Sequence, residues 1–283
     1  MKFVIVLFFL VIPSSVCADN SNIFHRVADT IQIVSAVNGH EYELYIKLPN
    51  NYQRTSKTYP VAVLQDVGVT LAATEDAVSL MAGRQIEDVI LVGMSYSKDV
   101  TPKISRTRDF TPTYAPNETG AHSLEAQKYS GNAKEYMEFI ERQVLPLLSQ
   151  KYRINKNKKI FIGHSFGGLL GTYILLNNSQ LFDSYIISSP SLWYDSRVIF
   201  RLEESYSKRN KNMIAKVLLH IGEEESKSRR GNMVQDLLRF EKVLKSRNYE
   251  GLDIKAVIVS GADHSSAFPL LISSALREIV PIN

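Results

Sequence analysis

The sequence predicts an α/β protein, with a mostly parallel, eight-stranded sheet covered by helices on both faces. Three observations predict it. Six short apolar runs recur along the chain: Val61–Leu64, Val89–Val92, Ile160–Ile162, Tyr185–Ile187, Val217–Leu219 and Ala256–Val259. Strands without alternation are buried on both faces, as in a parallel sheet sandwiched between helix layers. Between them lies helical spacing, clearest in Glu135–Leu145, Leu169–Leu176, Met233–Ser246 and Phe268–Ile279. Ahead of them, Thr30–Val34 and Glu41–Lys47 flank the turn signal Asn38-Gly39. The second segment alternates, with Tyr42, Leu44 and Ile46 on one face, which suits an antiparallel opening hairpin. Two hairpin strands and six buried ones give eight.

The remaining elements follow in order. Met1-Lys2, the apolar Phe3–Ile12, Pro13-Ser14-Ser15 and Val16-Cys17-Ala18 read as a signal peptide over 1–18, leaving a single domain over 19–283. The apolar run is too short for a stable span, so no stable membrane insertion is expected after cleavage. A retained anchor is the alternative. The expected location is periplasmic or secreted. Cleavage after Ala18 removes the one cysteine, Cys17, so neither disulfides nor a thiol nucleophile remain. Pro146 is expected to kink or end its helix, whereas Pro269 suits a first turn. Met94–Gly131 shows little periodicity and reads as a long functional loop. The sequons at Asn117 and Asn177 matter only in a eukaryotic secretory pathway. The net charge of +4 is mild and the basic runs are short, which gives no reason to expect a nucleic-acid partner.

The chemistry centres on Gly163-His164-Ser165-Phe166-Gly167-Gly168. Strand, Gly-x-Ser-x-Gly, then helix is the context of a nucleophile elbow, in which Ser165 projects from a strained turn. Asp66, Ser95, Glu223–Glu225 and His264 also follow predicted strands, so they fall on the same sheet edge as Ser165. A serine needs a base, and the base needs a carboxylate to orient it. His264 follows the last strand and is the candidate base. The acid comes from the loop Gly222-Glu223-Glu224-Glu225, with Glu225 favoured, Glu223 second and Asp263 third. A Ser–His dyad without an acid stays open. Oxyanion donors are expected from the backbone N–H groups of Phe166 and Val67. With no His-Glu-x-x-His, no cysteine cluster and no tight histidine spacing, metal catalysis is not expected.

Several segments carry a resemblance: YPVAVLQDVG (59–68), SRTRDFTPTY (105–114), GHSFGGLLGTYIL (163–175), SPSLWYD (189–195) and DHSS (263–266). Through them the chain resembles the putative-esterase family of α/β-hydrolases, in its enterobactin (siderophore) esterase-like branch. The resemblance implies an α/β-hydrolase fold and a serine mechanism without cofactor, with Ser165 as nucleophile and His264 as base. It implies a small-molecule ester substrate, and an anionic siderophore trilactone as the more specific reading. Family members also cleave feruloyl and other acyl esters. A generalist, feruloyl or acetyl-type esterase, an acyltransferase and an inactive binding module are the alternatives. Arg106 and Arg108 match a motif whose arginine contacts anionic ligand, and Trp193 is a candidate pocket wall. Asp66-Val67-Gly68 departs from the Asp-Gly found in many relatives.

Overall fold

A computed structural model describes residues 29–121, 123–228 and 230–282. The signal segment expected over 1–18 lies outside them. The strands are β1 (Asp29–Val34), β2 (Glu41–Lys47), β3 (Tyr59–Leu64), β4 (Ile90–Met94), β5 (Ile154–His164), β6 (Ser184–Ser188), β7 (Asn212–Gly222) and β8 (Glu250–Val259). They form one sheet in the order β1-β2-β4-β3-β5-β6-β7-β8. The β1–β2 and β2–β4 pairs are antiparallel and every other pair is parallel. The expected eight-stranded α/β fold and its opening hairpin are therefore present. The helices are α1 (Val67–Met81), α2 (Pro102–Phe110), α3 (Leu124–Gln127), α4 (Ala133–Phe139), α5 (Leu145–Lys151), α6 (Phe166–Asn177), α7 (Tyr194–Ser207), α8 (Met233–Ser246) and α9 (Ala267–Ile279).

Unbroken apolar strands give each face its own core. Ala62, Leu64, Ile160, Ile162, Ile186 and Leu218 pack with Phe268, Ile272 and Leu276 of α9 and Met81 of α1. Their alternates Val61, Val63, Phe161, Tyr185, Ile187 and Leu219 pack on the other face, with side chains of α4 to α8. Because the strand period is two, neighbouring residues of one strand feed opposite layers. The sheet is thus clamped between α1 and α9 on one side and the remaining long helices on the other.

Two elements differ from expectation, and a third stretch carried no expectation. Met94–Gly131 is not one loop, for it contains α2 and α3. The side chains buried along α2 are Ser105, Thr107, Arg108, Asp109 and Phe110, so its inward face is mostly polar and leaves no apolar stripe to read. Its start was marked, since Pro102 occupies the first turn and the Thr101 hydroxyl accepts the Ile104 N–H. Next, Pro146 does not end its helix. A π turn over Ile140–Val144 joins α4 to α5 and puts Pro146 in the first turn of α5, where its missing N–H costs little. Finally, Asp195, Ser196 and Arg197 are left-handed at φ 43°, 51° and 60°. Thr113 Oγ1 donates to Asp195 Oδ2 at 2.7 Å, Glu118 Oε2 accepts the Asp195 N–H at 3.0 Å, and Arg197 pairs with Asp236 at 2.7 Å. These bonds hold a backbone that costs roughly 1–2 kcal/mol per non-glycine residue.

The tightest packing lies where β5 turns into α6. A Cβ on Gly163 would lie 2.3 Å from the Gly167 carbonyl oxygen, a backbone atom that cannot step aside. We expect Gly163→Ala to lower the unfolding free energy by about 3 kcal/mol or more, read from urea denaturation.

Candidate active site

Ser165 follows β5 at φ 59° and ψ −115°, a conformation that serine adopts only under constraint. Its N–H donates to the Ser188 carbonyl at 2.9 Å, and its own carbonyl accepts the Leu169 and Ser191 N–H groups. The turn is thereby tied to β6 and α6, and the hydroxyl emerges at the sheet edge. There it meets His264, whose Nε2 lies 3.0 Å from Ser165 Oγ. On the far side of the imidazole, Nδ1 lies 2.6 Å from Glu225 Oε2. A carboxylate can only accept, so Nδ1 carries the proton and Nε2 is left to accept from the serine hydroxyl.

The three glutamates diverge because residues 223–227 form a 3₁₀ turn, in which successive side chains lie about 120° apart. Glu223 accepts from Ser260 Oγ and the Gly261 N–H, Glu224 pairs with Lys227 in solvent, and Glu225 points inward. Asp263 is not placed as an acid. It binds Ser265 and Ser266 and caps the turn into α9, and those bonds hold its carboxyl well below the usual carboxylate range. Burial pushes the Glu225 carboxyl up, but bonds from His264, from Ser189 Oγ (2.6 Å to Oε1) and from the Gly222 N–H (3.0 Å) outweigh it and hold it low. Ser189 was not legible as a site residue. It follows β6 at φ 44° and aims its hydroxyl at a carboxylate distant in sequence.

Val67 and Phe166 are the first residues of α1 and α6, so neither N–H has an intrahelical acceptor. Asp66, just before α1, is left-handed (φ 58°, ψ 52°), which a short polar side chain tolerates better than most. The valine in place of glycine is accommodated across the sheet, because a Cβ on Gly93 of β4 would lie only 2.8 Å from Val67 Cγ1. Gly93 leaves the space that Val67 fills.

The two arginines separate. Arg106 lies beside the elbow, its guanidinium 4.9 Å from the Phe166 ring centre and paired with Asp66 at 2.7 and 2.8 Å. Arg108 does not reach the site, which corrects its expected contact with substrate. Two positions along the helix put it on the opposite side, where it is buried among Asp109, Ser97 and Tyr42. Trp193 does reach Phe166, at 6.0 Å between ring centres, but only 8% of it is exposed. Gly120 and the Arg230 guanidinium cover it, so it is a packed wall. Ser95 stays outside the constellation, binding Glu43 and Tyr96 main chain. The clefts lined by Lys47–Asn51 and Glu75–Arg84, and by Glu141–Ser149 and Asn178–Leu181, contain none of these residues. Among the described residues, no cluster of three or more His, Cys, Asp or Glu could hold a metal ion, and no helix is long and apolar enough to cross a membrane.

An eight-stranded, mostly parallel sheet with a serine elbow, a histidine and a carboxylate at successive strand ends defines an α/β-hydrolase. The chain belongs to the putative esterase family, whose model matches residues 35–268, and it is an esterase. It is 28% identical over 268 residues to the ferri-bacillibactin esterase BesA of Bacillus subtilis (strain 168), covering 91% of each chain. It is 27% identical over 177 residues to the apo-salmochelin esterase of Escherichia coli O6:H1, covering 62% of this chain and 54% of that one. Its fold is shared with an IroE-like serine hydrolase from Shewanella oneidensis (TM-score 0.78, 24% identity, covering 88% and 79% of the two chains). It is also shared with the BES protein from Bacillus cereus (TM-score 0.74, 24% identity, covering 99% and 100%).

Two outcomes follow. Ser189→Ala removes one donor to Glu225 and should lower kcat roughly three- to tenfold with KM unchanged in steady-state assays. The buried His164 and His220 have imidazoles pushed down from 6.5 to about 4, first by desolvation, then for His164 by the charge of His264. Between those values the unfolded chain binds more protons than the folded one. The stability they contribute is therefore full above pH 6.5 and lost as pH falls towards 4. Denaturant titrations should show each histidine costing about 2 kcal/mol at pH 5 relative to pH 7, and His220→Leu should remove one such share.

Proposed function

We propose that the protein is an exported serine carboxylic-ester hydrolase that works through an acyl-serine intermediate on a siderophore trilactone. The observation that carries the mechanism is the unbroken line from Glu225 through His264 to Ser165, at 2.6 and 3.0 Å. Ser165 Oγ attacks the ester carbonyl carbon while His264 Nε2 takes its proton. Glu225 stabilises the imidazolium that results. The carbonyl oxygen becomes an oxyanion, met by the Val67 and Phe166 N–H groups at the positive ends of α1 and α6. His264 then returns the proton to the alkoxide as the ester C–O bond breaks, releasing the alcohol. Water attacks the acyl-serine by the same route, and the carboxylic acid leaves with Ser165 restored. His264 is part-exposed, so water reaches this side of the site.

The substrate class is supported by the names of the relatives, esterases of bacillibactin and salmochelin. Hydrolysis of each lactone bond in turn is the same chemistry repeated. Export is supported by the Met1–Ala18 segment of the sequence.

With p-nitrophenyl butyrate, Ser165→Ala should lose at least about 10⁴-fold in kcat and Glu225→Gln about 10³–10⁴-fold. Only Ser165→Ala should escape labelling by a fluorophosphonate. Turnover by Ser165→Ala equal to the parent would overturn the serine mechanism. Chromatography of enterobactin and bacillibactin digests should show linear products. Cleavage of simple acyl esters without any linearisation would indicate a generalist esterase instead.

A further inference from the structure

Arg106 makes a set of contacts that a residue waiting for substrate does not need. Its Nε and Nη2 donate to Asp66 Oδ1 and Oδ2 at 2.7 and 2.8 Å, so two of its donors are committed in a bidentate pair. Tyr96 adds a third bond to the same carboxylate, from its hydroxyl to Oδ1 at 2.6 Å. The Asp66 side chain is only 2% exposed, so these partners, rather than water, supply its hydrogen bonds. Asp66 is also the left-handed residue that immediately precedes Val67 and turns β3 into α1. The direction of the Val67 N–H is therefore set by a backbone held in place through the Asp66 side chain. The other face of the guanidinium lies on the ring of Phe166, the residue that follows the nucleophile, at 4.9 Å. Between the two, Gly167 of the elbow packs so near Asp66 that a Cβ there would lie 3.2 Å from Oδ2.

We propose that Arg106 is the positioning residue of the oxyanion hole. It joins the two chain segments that carry the Val67 and Phe166 N–H groups and fixes their spacing. The inference rests on the serine-esterase reading above, and it assigns Arg106 a part in turnover of every ester, charged or neutral. Val67 and Phe166 open different helices, which leave the neighbouring strands β3 and β5, and the ladder between those strands runs up to the Gln65 N–H on the Ile162 carbonyl at 3.0 Å. Beyond that last bond, the Asp66–Arg106–Phe166 contact ties the two segments together again at the level of the donors. A donor that drifts by a fraction of an ångström no longer meets the oxyanion at hydrogen-bond distance, and preorganisation is what gives such a site its effect.

The test separates this role from a substrate contact by using a neutral ester. Arg106→Gln and Arg106→Lys are assayed on p-nitrophenyl acetate and on an ester of matching size bearing a carboxylate. For Arg106→Gln we expect kcat on the neutral ester to fall 10²- to 10³-fold while KM changes less than threefold, the size of losing one oxyanion donor. Arg106→Lys keeps a charge but not the bidentate fork, and should recover only part of the loss. Binding of a trifluoromethyl ketone, whose hemiketal oxyanion needs the hole, should weaken in parallel with kcat. Because Arg106→Gln strands a buried carboxylate and is exposed to misfolding, Tyr96→Phe and the double variant Asp66→Asn/Arg106→Gln accompany it. Tyr96→Phe should lower kcat severalfold, and the double variant should lose no more than the worse single variant. Neutral-ester kcat retained in folded Arg106→Gln, with a raised KM for the charged ester alone, would overturn the proposal and leave Arg106 a substrate contact. Undiminished turnover in Ser165→Ala would instead overturn the underlying serine-esterase reading, so the two failures are distinct.

Discussion

The structure depends on the close approach of Gly163 and Gly167, which lets β5 reverse into α6 within a single residue. That residue is Ser165, and its strained backbone costs of order 1–3 kcal/mol. Two features hold it there. Its main chain is bonded to Ser188, Leu169 and Ser191, and α6 buries Leu169, Leu170, Ile174 and Leu175 almost completely behind it. Burial of four such side chains is worth several kcal/mol, enough to outweigh the strain. The serine stays at the sheet edge, only 7% exposed, because the helix behind it has nowhere else to go.

The same device recurs across the sheet. Asp66, Ser165 and Ser189 all have positive φ without being glycine, and they follow β3, β5 and β6. Those strands are consecutive neighbours in the sheet, so three sharp exits lie side by side. Each exit carries a different part of the proposed chemistry: the loop of one N–H donor, the hydroxyl, and the support for the carboxylate. The histidine and the carboxylate arrive from β8 and β7 at the next positions along the same edge. A single row of strand ends thus sets the relative positions of all these groups. The rigidity of a two-sided parallel sheet is passed directly to them.

How much of this could be read from the sequence depends on whether the controlling interaction is local. The opening hairpin was legible from its turn signal and alternation, and the six later strands from unbroken apolar runs, although the edge strand β8 is only partly buried. Ser165 and His264 were legible because their neighbours in sequence mark a turn after a strand. Glu225 could be favoured over Glu223 and Glu224 only weakly, since the choice depends on the phase of a 3₁₀ turn. Arg106 and Arg108 were indistinguishable, because both occur in one Arg-x-Arg motif and only the helix phase separates an edge residue from a buried one. The helix itself was hidden by its polar interior, where Arg108, Asp109, Ser97, Ser105 and Tyr42 satisfy one another in place of an apolar stripe. Ser189 had no readable signal, since its role depends on a carboxylate brought beside it by the pairing of β6 with β7.

The polar packing of α2 has a consequence for how substrate range and turnover are related. The helix belongs to the segment between β4 and α4, which borders the site and is tied to the Trp193 region through Thr113 and Glu118 on Asp195. An apolar helix could slide on its neighbours with modest loss, because dispersion contacts are forgiving in direction. A helix anchored by charge-assisted hydrogen bonds cannot, since each bond fails within a few tenths of an ångström or a few tens of degrees. Arg108 locks the helix to the core through Asp109 and Tyr42, and Arg106 extends that lock to Asp66 and the elbow. The segment best placed to select a substrate is therefore mechanically continuous with the groups that would stabilise its transition state. On the role proposed for Arg106, changes along α2 that reshape the substrate side also move the proposed oxyanion donors, which couples substrate range to rate in this protein.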